Sequence, residues 1–277
     1  MSTDTGARGA VWFRSLAGDP QRLPQDPPSV LAADAPLGHE RARFLGIVPD
    51  PNARFPRARH GEAGMEECCA LARQIHDVVA QARSGVRRPI IAIVDVRSQA
   101  YGRREEMAGL FLAAAAAVEA YASARVEGHP VIALVVGQAV SGAFLAHGLQ
   151  ANRILSLDDE GILIHAMHRE AAARITRRSI DELNAWASRI STLSYRIRDY
   201  ARLGILHQLI SVSNPENPTS ADVEQVRRAL VASVAEARSS AVDLRNRHES
   251  KEAVAVRGAT QLVRARIAAQ WREDKES

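Results

Sequence analysis

The chain has 277 residues and a net charge of +4, with 46% hydrophobic but only 4% aromatic residues, so Ala, Val, Ile and Leu must pack the core. Basic residues are scattered and nearly matched by acids, which excludes a nucleic-acid-binding stripe, and the two cysteines are adjacent, Cys68 and Cys69, which excludes a disulfide framework and zinc spacing. No N-terminal h-region and no apolar run of about 18 residues is found, so a cytoplasmic protein without a membrane segment is expected.

Residues 1–30 carry Pro20, Pro24, Pro27 and Pro28 and few periodic apolar positions. They predict an irregular arm, with Trp12 and Phe13 as anchors to this chain or to a partner, ahead of a single domain over 31–277. The stretch RFLGIVPD (43–50) reads as a first strand, and DPNARFPRARHGEAG (50–64) as a long basic loop broken by Pro51 and Pro56. Met65, Cys68, Cys69, Ala72, Ile75 and Val79 recur with helical spacing, which makes the cysteines small buried residues on a helix. PIIAIVDV (89–96) and PVIALVVG (130–137) are continuous apolar runs, the pattern of strands covered on both faces. An Ala-rich helix over roughly 104–126 lies between them, and RILSL and GILIH supply two more short strands. This βαβ succession implies a parallel sheet with right-handed crossovers. Beyond about 170 the chain turns helical. Ser179 and Glu182 in capping-box spacing open a helix over 179–205, Asn214–Pro218 make a turn, and helices follow over 221–240 and 249–272. Val263, Ile267 and Trp271 form a stripe on the last, either core or a docking face for a partner.

The segment VIALVVGQAVSGAFLAHGLQANRILSL (131–157) runs strand, small-residue turn, helix, strand. Three readings compete: Ser141 is a nucleophile, the backbone at Gly142 and Ala143 binds a negative charge, or the turn is simply tight with Ser141 as helix N-cap. A helix start offers unpaired N–H groups to an anion, and glycine lets substrate approach the backbone. In thioester chemistry such donors would meet an enolate or tetrahedral oxygen.

GQAVSGAFLAHGLQANRILSL followed by GILIH resembles the crotonase and Clp-peptidase superfamily. That resemblance implies an α/β, crotonase-like fold: a mostly parallel sheet of ββα units flanked by helices, with a helical C-terminal region. A Clp-type serine peptidase would pair Ser141 with His165, although Gly142 and Ala143 stand where the peptidase motif has Met and Gly. FLGIVPDPNARFPRARHGEAG, VDVRSQAYGRREE and VVGQAVSGAFLAHGLQANRI resemble, over nearly the whole chain, the gamma subunit of biotin-independent malonate decarboxylase, a relative of one half of the acyl-CoA carboxyltransferases.

This second resemblance implies a beta subunit of the same fold as partner. The substrate it implies is a malonyl thioester on an acyl carrier protein with a phosphoribosyl-dephospho-CoA arm. The products are acetyl thioester and CO2, with no biotin and no tightly bound cofactor. A non-catalytic structural subunit is the third reading. The carboxyltransferase Gly-rich turn falls on Gln138–Ala143 without its first glycine pair, and DVRSQAYG keeps Asp95, Ala100, Tyr101 and Gly102 of the preceding loop. The expected catalytic backbone is therefore Gly142, Ala143 and Gly102, with Ser141 and His165 as side chains beside it.

Tyr101, Arg103, Arg104 and Gln138 are the substrate-binding candidates, because guanidinium groups pair carboxylates bidentately. Arg54, Arg57 and Arg59 either bind carrier-arm phosphates or the acidic carrier protein, or belong to a solvated loop. His165 and His168 provide too few ligands for a metal. His147 faces either way on the helix after the turn. The two lysines, Lys251 and Lys275, lie in the tail, which argues against a Schiff base or a biotinylated lysine in the folded region.

Overall fold

The computed structural model describes residues 7–276, apart from 22, 83, 84 and 86. The first six residues of the expected N-terminal arm lie outside the described residues. In chain order the elements are α1 (Ala7–Ala17), β1 (Val30–Leu37), β2 (Glu40–Ile47), α2 (Met65–Gln81), β3 (Ile90–Val96), α3 (Arg103–Met107) and α4 (Leu110–Val126). Then come β4 (Val131–Val140), α5 (Ser141–Ala146), β5 (Arg153–Leu157), β6 (Leu163–His165), α6 (Arg169–Thr176), α7 (Ile180–Ala187), α8 (Ile197–Arg202) and β7 (Gln208–Ile210). The chain closes with α9 (Ser220–Arg238), α10 (Asn246–Glu249), α11 (Lys251–Val256) and α12 (Gly258–Glu276).

The sheet order is β1-β2-β3-β4-β5-β7, with β6 branching from β4. All pairings are parallel except β1 with β2. Every residue of β3 is buried, as its unbroken apolar run requires, and α2 packs on α4 while α1 lies across β1 to β4. β4 changes partners along its length. Its first half pairs with β3 and β5, and Gln138–Val140 then pair with β6. At the change the register jumps from Val94↔Val135 to Val96↔Ala139, so β4 carries a bulge opposite Asp95.

Several expectations need correction. Residues 7–17 of the arm are an α-helix, and Trp12 and Phe13 are fully buried in the chain's own core, with Trp12 Nε1 donating to the carbonyl of Pro215 at 2.8 Å. They anchor this chain rather than a partner. The Ala-rich helix breaks into α3 and α4 at Gly109, whose φ of +95° is left-handed. The region 179–205 is α7, a 3₁₀ turn at Ser191–Leu193 and α8, and 249–272 is likewise in pieces, with α11 and α12 meeting at Arg257. Cys68 is buried but Cys69 is exposed. Val263, Ile267 and Trp271 are exposed, so their stripe faces away from the core. Among the described residues no helix is long and apolar enough to cross a membrane.

Candidate functional site

The bulge in β4 leaves the N–H of Gln138 without a ladder partner, and Asp95 Oδ1 accepts it at 2.9 Å. Asp95 Oδ2 accepts the N–H of Gly9 in the first turn of α1 at 3.0 Å, so one buried carboxylate ties the N-terminal helix to the bulge. A Cβ at Gly137 would collide with this carboxylate, which is why the position before Gln138 is glycine.

The strand then turns into α5 through Ser141, which has φ +61°, a left-handed conformation that L residues seldom adopt. Ser141 is not an N-cap. That place belongs to Val140, and no side chain caps α5. The N–H of Gly142 donates to the side-chain oxygen of Gln99 at 2.9 Å, and Ala143 is buried. Gln99 is delivered by a backbone bridge: Ala63 N–H donates to Ser98 O at 2.9 Å and Ala100 N–H to Ala63 O at 2.7 Å. The loop carrying Tyr101 and Gly102 is thereby brought to the turn.

His165 lies on β6 in register with Val140, one strand from the turn. Its Nδ1 accepts the N–H of Met167 at 3.2 Å, and its ring stacks on Tyr195 with centroids 3.9 Å apart and planes inclined by 14°. Burial holds the imidazole below its ordinary pKa, helped by the positive charge of Arg169 and by His168. His165 makes no hydrogen bond to Ser141 among the described residues, so the peptidase-type pair is not assembled. His168 bonds the carbonyl of Arg97 at 3.0 Å.

His147 is fully buried. Its Nε2 donates to Ile93 O at 2.9 Å, which leaves Nδ1 to accept from the Tyr121 hydroxyl at 2.9 Å. Burial lowers its pKa to about 4, so it is a neutral core group. The loop after α5 is held by arginines: Arg247 donates to the carbonyls of Leu149 and Ala151, Arg125 to Gln150 and Arg153 to Asn152. Burial lowers the Arg247 pKa to about 10, and its neighbours Arg125 and Arg153 add to the effect.

The other candidates lie on β4, on the loop after β3 and on α3. Gln138 has a buried side-chain oxygen with no hydrogen-bond partner among the described residues. Tyr101 is 49% exposed, with the Arg57 guanidinium 4.0 Å from its ring centroid, and Arg57 is also paired with Glu62 at 2.9 Å. Arg103 and Arg104 are exposed on α3. Gly102 is crowded by the buried carboxylate of Glu105, a like charge for any anion bound there.

Arg59 is spent on the carbonyl of Ala53, while Arg54 projects outward and lines a cleft of about 460 Å³ with Asp26, Asn52, Cys69 and Arg73. None of the turn residues lines that cleft. No cluster of three or more His, Cys, Asp or Glu suited to a metal occurs among the described residues.

Sequence reasoning missed Gln99, Tyr195 and Arg169. Asp95 carried a signal, an acid inside an apolar strand, but no sequence pattern announces that the Gln99 side chain reaches Gly142.

Residues 58–271 match the family described as malonate decarboxylase gamma subunit. Over 216 residues, 76% of this chain and 70% of the relative, the chain is 30% identical to a malonyl-S-ACP:biotin-protein carboxyltransferase of Malonomonas rubra. A chain of the Pseudomonas malonate decarboxylase hetero-tetramer, solved in complex with coenzyme A, is 46% identical with a TM-score of 0.88, over 94% of this chain and 99% of that one. Transcarboxylase 12S shares the fold at 18% identity and a TM-score of 0.63, over 83% of this chain and 41% of that one. With a family match over residues 58–271, most of its length, the chain belongs to the malonate decarboxylase gamma-subunit family.

Proposed function

We propose that the chain acts with a beta subunit of related fold as a biotin-independent carboxy-lyase, converting malonyl-S-acyl-carrier-protein to the acetyl thioester and CO2. The Pseudomonas relatives are described as a hetero-dimer and as hetero-tetramers, one of them in complex with malonate, and the Malonomonas relative is named for malonyl-S-ACP. The thioester is carried on a phosphoribosyl-dephospho-CoA arm, and the cytoplasm is the working compartment.

Breaking the carbon–carbon bond to the carboxylate releases CO2 and sends the electron pair to the thioester carbonyl, forming an enolate. No base is needed, only donors for the enolate oxygen and later a proton for the carbon. The backbone N–H groups of Gly142 and Ala143 are the proposed donors, with His165 as the donor side chain beside them. Tyr101, Arg103, Arg104 and Gln138 are placed on the carboxylate side. Gly102 fits less well, because Glu105 repels an anion there.

The observation that carries this reading is the bond from Gly142 N–H to Gln99. The turn already engages a carbonyl oxygen of the kind a thioester presents. Exposed apolar side chains on α3, α4 and α5, Met107, Phe111, Leu112 and Leu145, offer the partner subunit an anchoring surface at this end.

The test is CO2 release from a malonyl thioester by the co-expressed complex and by its Gly142→Val form. A Cβ at Gly142 meets Gln99 Oε1 at 3.1 Å, within reach of a side-chain adjustment, so the variant should fold. Loss of about 10²–10³ in kcat/KM is expected. Undiminished turnover would move the chemistry to the partner.

A further inference from the structure

Beside β6 the chain buries polar groups that its own hydrogen bonds leave unused. Tyr195 is 7% exposed and its hydroxyl is buried without a partner among the described residues, as is Nε of Arg169. The two meet each other, with Arg169 Cζ 4.7 Å from the Tyr195 ring centroid, and Tyr195 lies flat against His165. Neither residue belongs to the expected site. Their shared neighbour does.

We propose that Tyr195 and Arg169 are positioning residues that present His165 as a neutral imidazole with its single proton on Nε2, a fixed hydrogen-bond donor to the developing enolate oxygen. This rests on the reading of the turn and His165 as the reaction site. The tautomer follows from the geometry. Nδ1 accepts the Met167 N–H, so a neutral ring must carry its proton on Nε2. Stacking at 3.9 Å fixes the ring plane and covers one face from water.

Burial keeps the ring neutral, and the charges around it add to the effect. From α6 it faces Arg169 and His168, and both oppose protonation. From the segment before α8, which bridges β6 at Leu163, come Tyr195 and Arg196, and Arg196 is paired with Asp199 at 3.1 Å. β4 contributes no titratable side chain at Gln138–Val140. α6 also carries the carboxylate of Glu170, which acts on Tyr195, whereas the charges that act on His165 are those of Arg169 and His168. A neutral donor suits an oxyanion that forms and collapses, because the proton is shared with the enolate and stays on the ring, as when other enzymes polarise a carbonyl with neutral imidazole.

The experiment uses the complex with the beta subunit, and reads the pH dependence of kcat/KM together with the NMR titration of His165. Activity should be flat above the ordinary imidazole range and fall only where the ring protonates. His165→Ala should lose about 10²–10³ in rate, whereas His165→Gln, which keeps a neutral N–H donor, should retain activity within about ten-fold and lose the acid limb. Arg169→Gln and Tyr195→Leu should each move the acid limb and the His165 titration upward, by roughly half to one pH unit.

The inference is overturned if activity rises as His165 protonates, if His165→Gln is as inactive as His165→Ala, or if neither Arg169→Gln nor Tyr195→Leu shifts the titration. The last result, obtained while Gly142→Val and His165→Ala remain inactive, sinks only the positioning role. Active Gly142→Val and His165→Ala complexes sink the site reading itself. The NMR titration decides the matter even for a variant that loses turnover.

Discussion

Gln99 and Gly142, 43 residues apart, are joined by a single hydrogen bond of 2.9 Å in which a side-chain amide oxygen occupies the first free N–H after the turn. A thioester carbonyl that uses this donor must displace that oxygen. Gln99→Ala is therefore expected to lower KM by about 3- to 10-fold, the worth of one net hydrogen bond, without lowering kcat. Steady-state kinetics of the complex check this. A rise in KM would instead make Gln99 a ligand of the substrate.

Asp95 satisfies two N–H groups from distant parts of the chain, Gly9 and Gln138, and both are lost to Asp95→Ala. Leaving buried donors unpaired costs about 1–3 kcal/mol each, so the variant should lose roughly 3 kcal/mol in urea unfolding. Asp95→Asn keeps one acceptor oxygen and should fall between. Equal stability of all three proteins would show that water replaces the carboxylate.

Ser141 adopts φ +61° and caps nothing, so removing its hydroxyl should leave stability nearly unchanged. Ser141→Gly should gain about 1 kcal/mol by relieving the left-handed backbone, and Ser141→Val should lose more than that. Thermal melts of these two variants beside the wild type give the order. A serine-directed fluorophosphonate should leave the wild-type protein unlabelled, because His165 does not engage this hydroxyl.

His147 gives acid sensitivity a definite window. Its folded pKa is about 4, below the ordinary value of 6.5 that the unfolded chain would show. Between these values the unfolded state binds the proton and the folded state does not. The contribution is therefore complete above pH 6.5 and is lost as pH falls toward 4, on the order of 3 kcal/mol in all. Urea unfolding at pH 7.5 and 5 should show the loss. A His147→Phe variant, weaker at neutral pH without the Tyr121 and Ile93 bonds, should show a smaller one.

The central strands and α2 were legible because their signals are local: unbroken apolar runs at 90–96 and 131–136, and helical spacing from Met65. β1 was missed because Ala32, Ala33, Ala35 and Pro36 lack β-branched side chains. Proline is tolerated there only because the strand lies at the sheet edge. α1 was hidden by the prolines that follow it. In the site, the turn at Gly142 and the strand position of His165 could be read from small residues and spacing. Gln99, Tyr195 and Arg169 could not, because their roles depend on which surfaces the β4 bulge and the bridge at Ala63 bring together.

The attachments of α1 set an order on biosynthesis. Trp12 donates to Pro215, Arg8 to Val136 and Asp159, and Gly9 to Asp95, so α1 leaves the ribosome some two hundred residues ahead of partners that complete its seat. Until then Trp12, Phe13 and Leu16 have no complete pocket, and a nascent chain must keep that apolar face from sticking elsewhere. Docking of α1 is thus expected among the late steps of folding. Stalled chains that end before residue 215 should leave Trp12 fluorescence solvent-exposed and the N-terminal helix open to proteolysis.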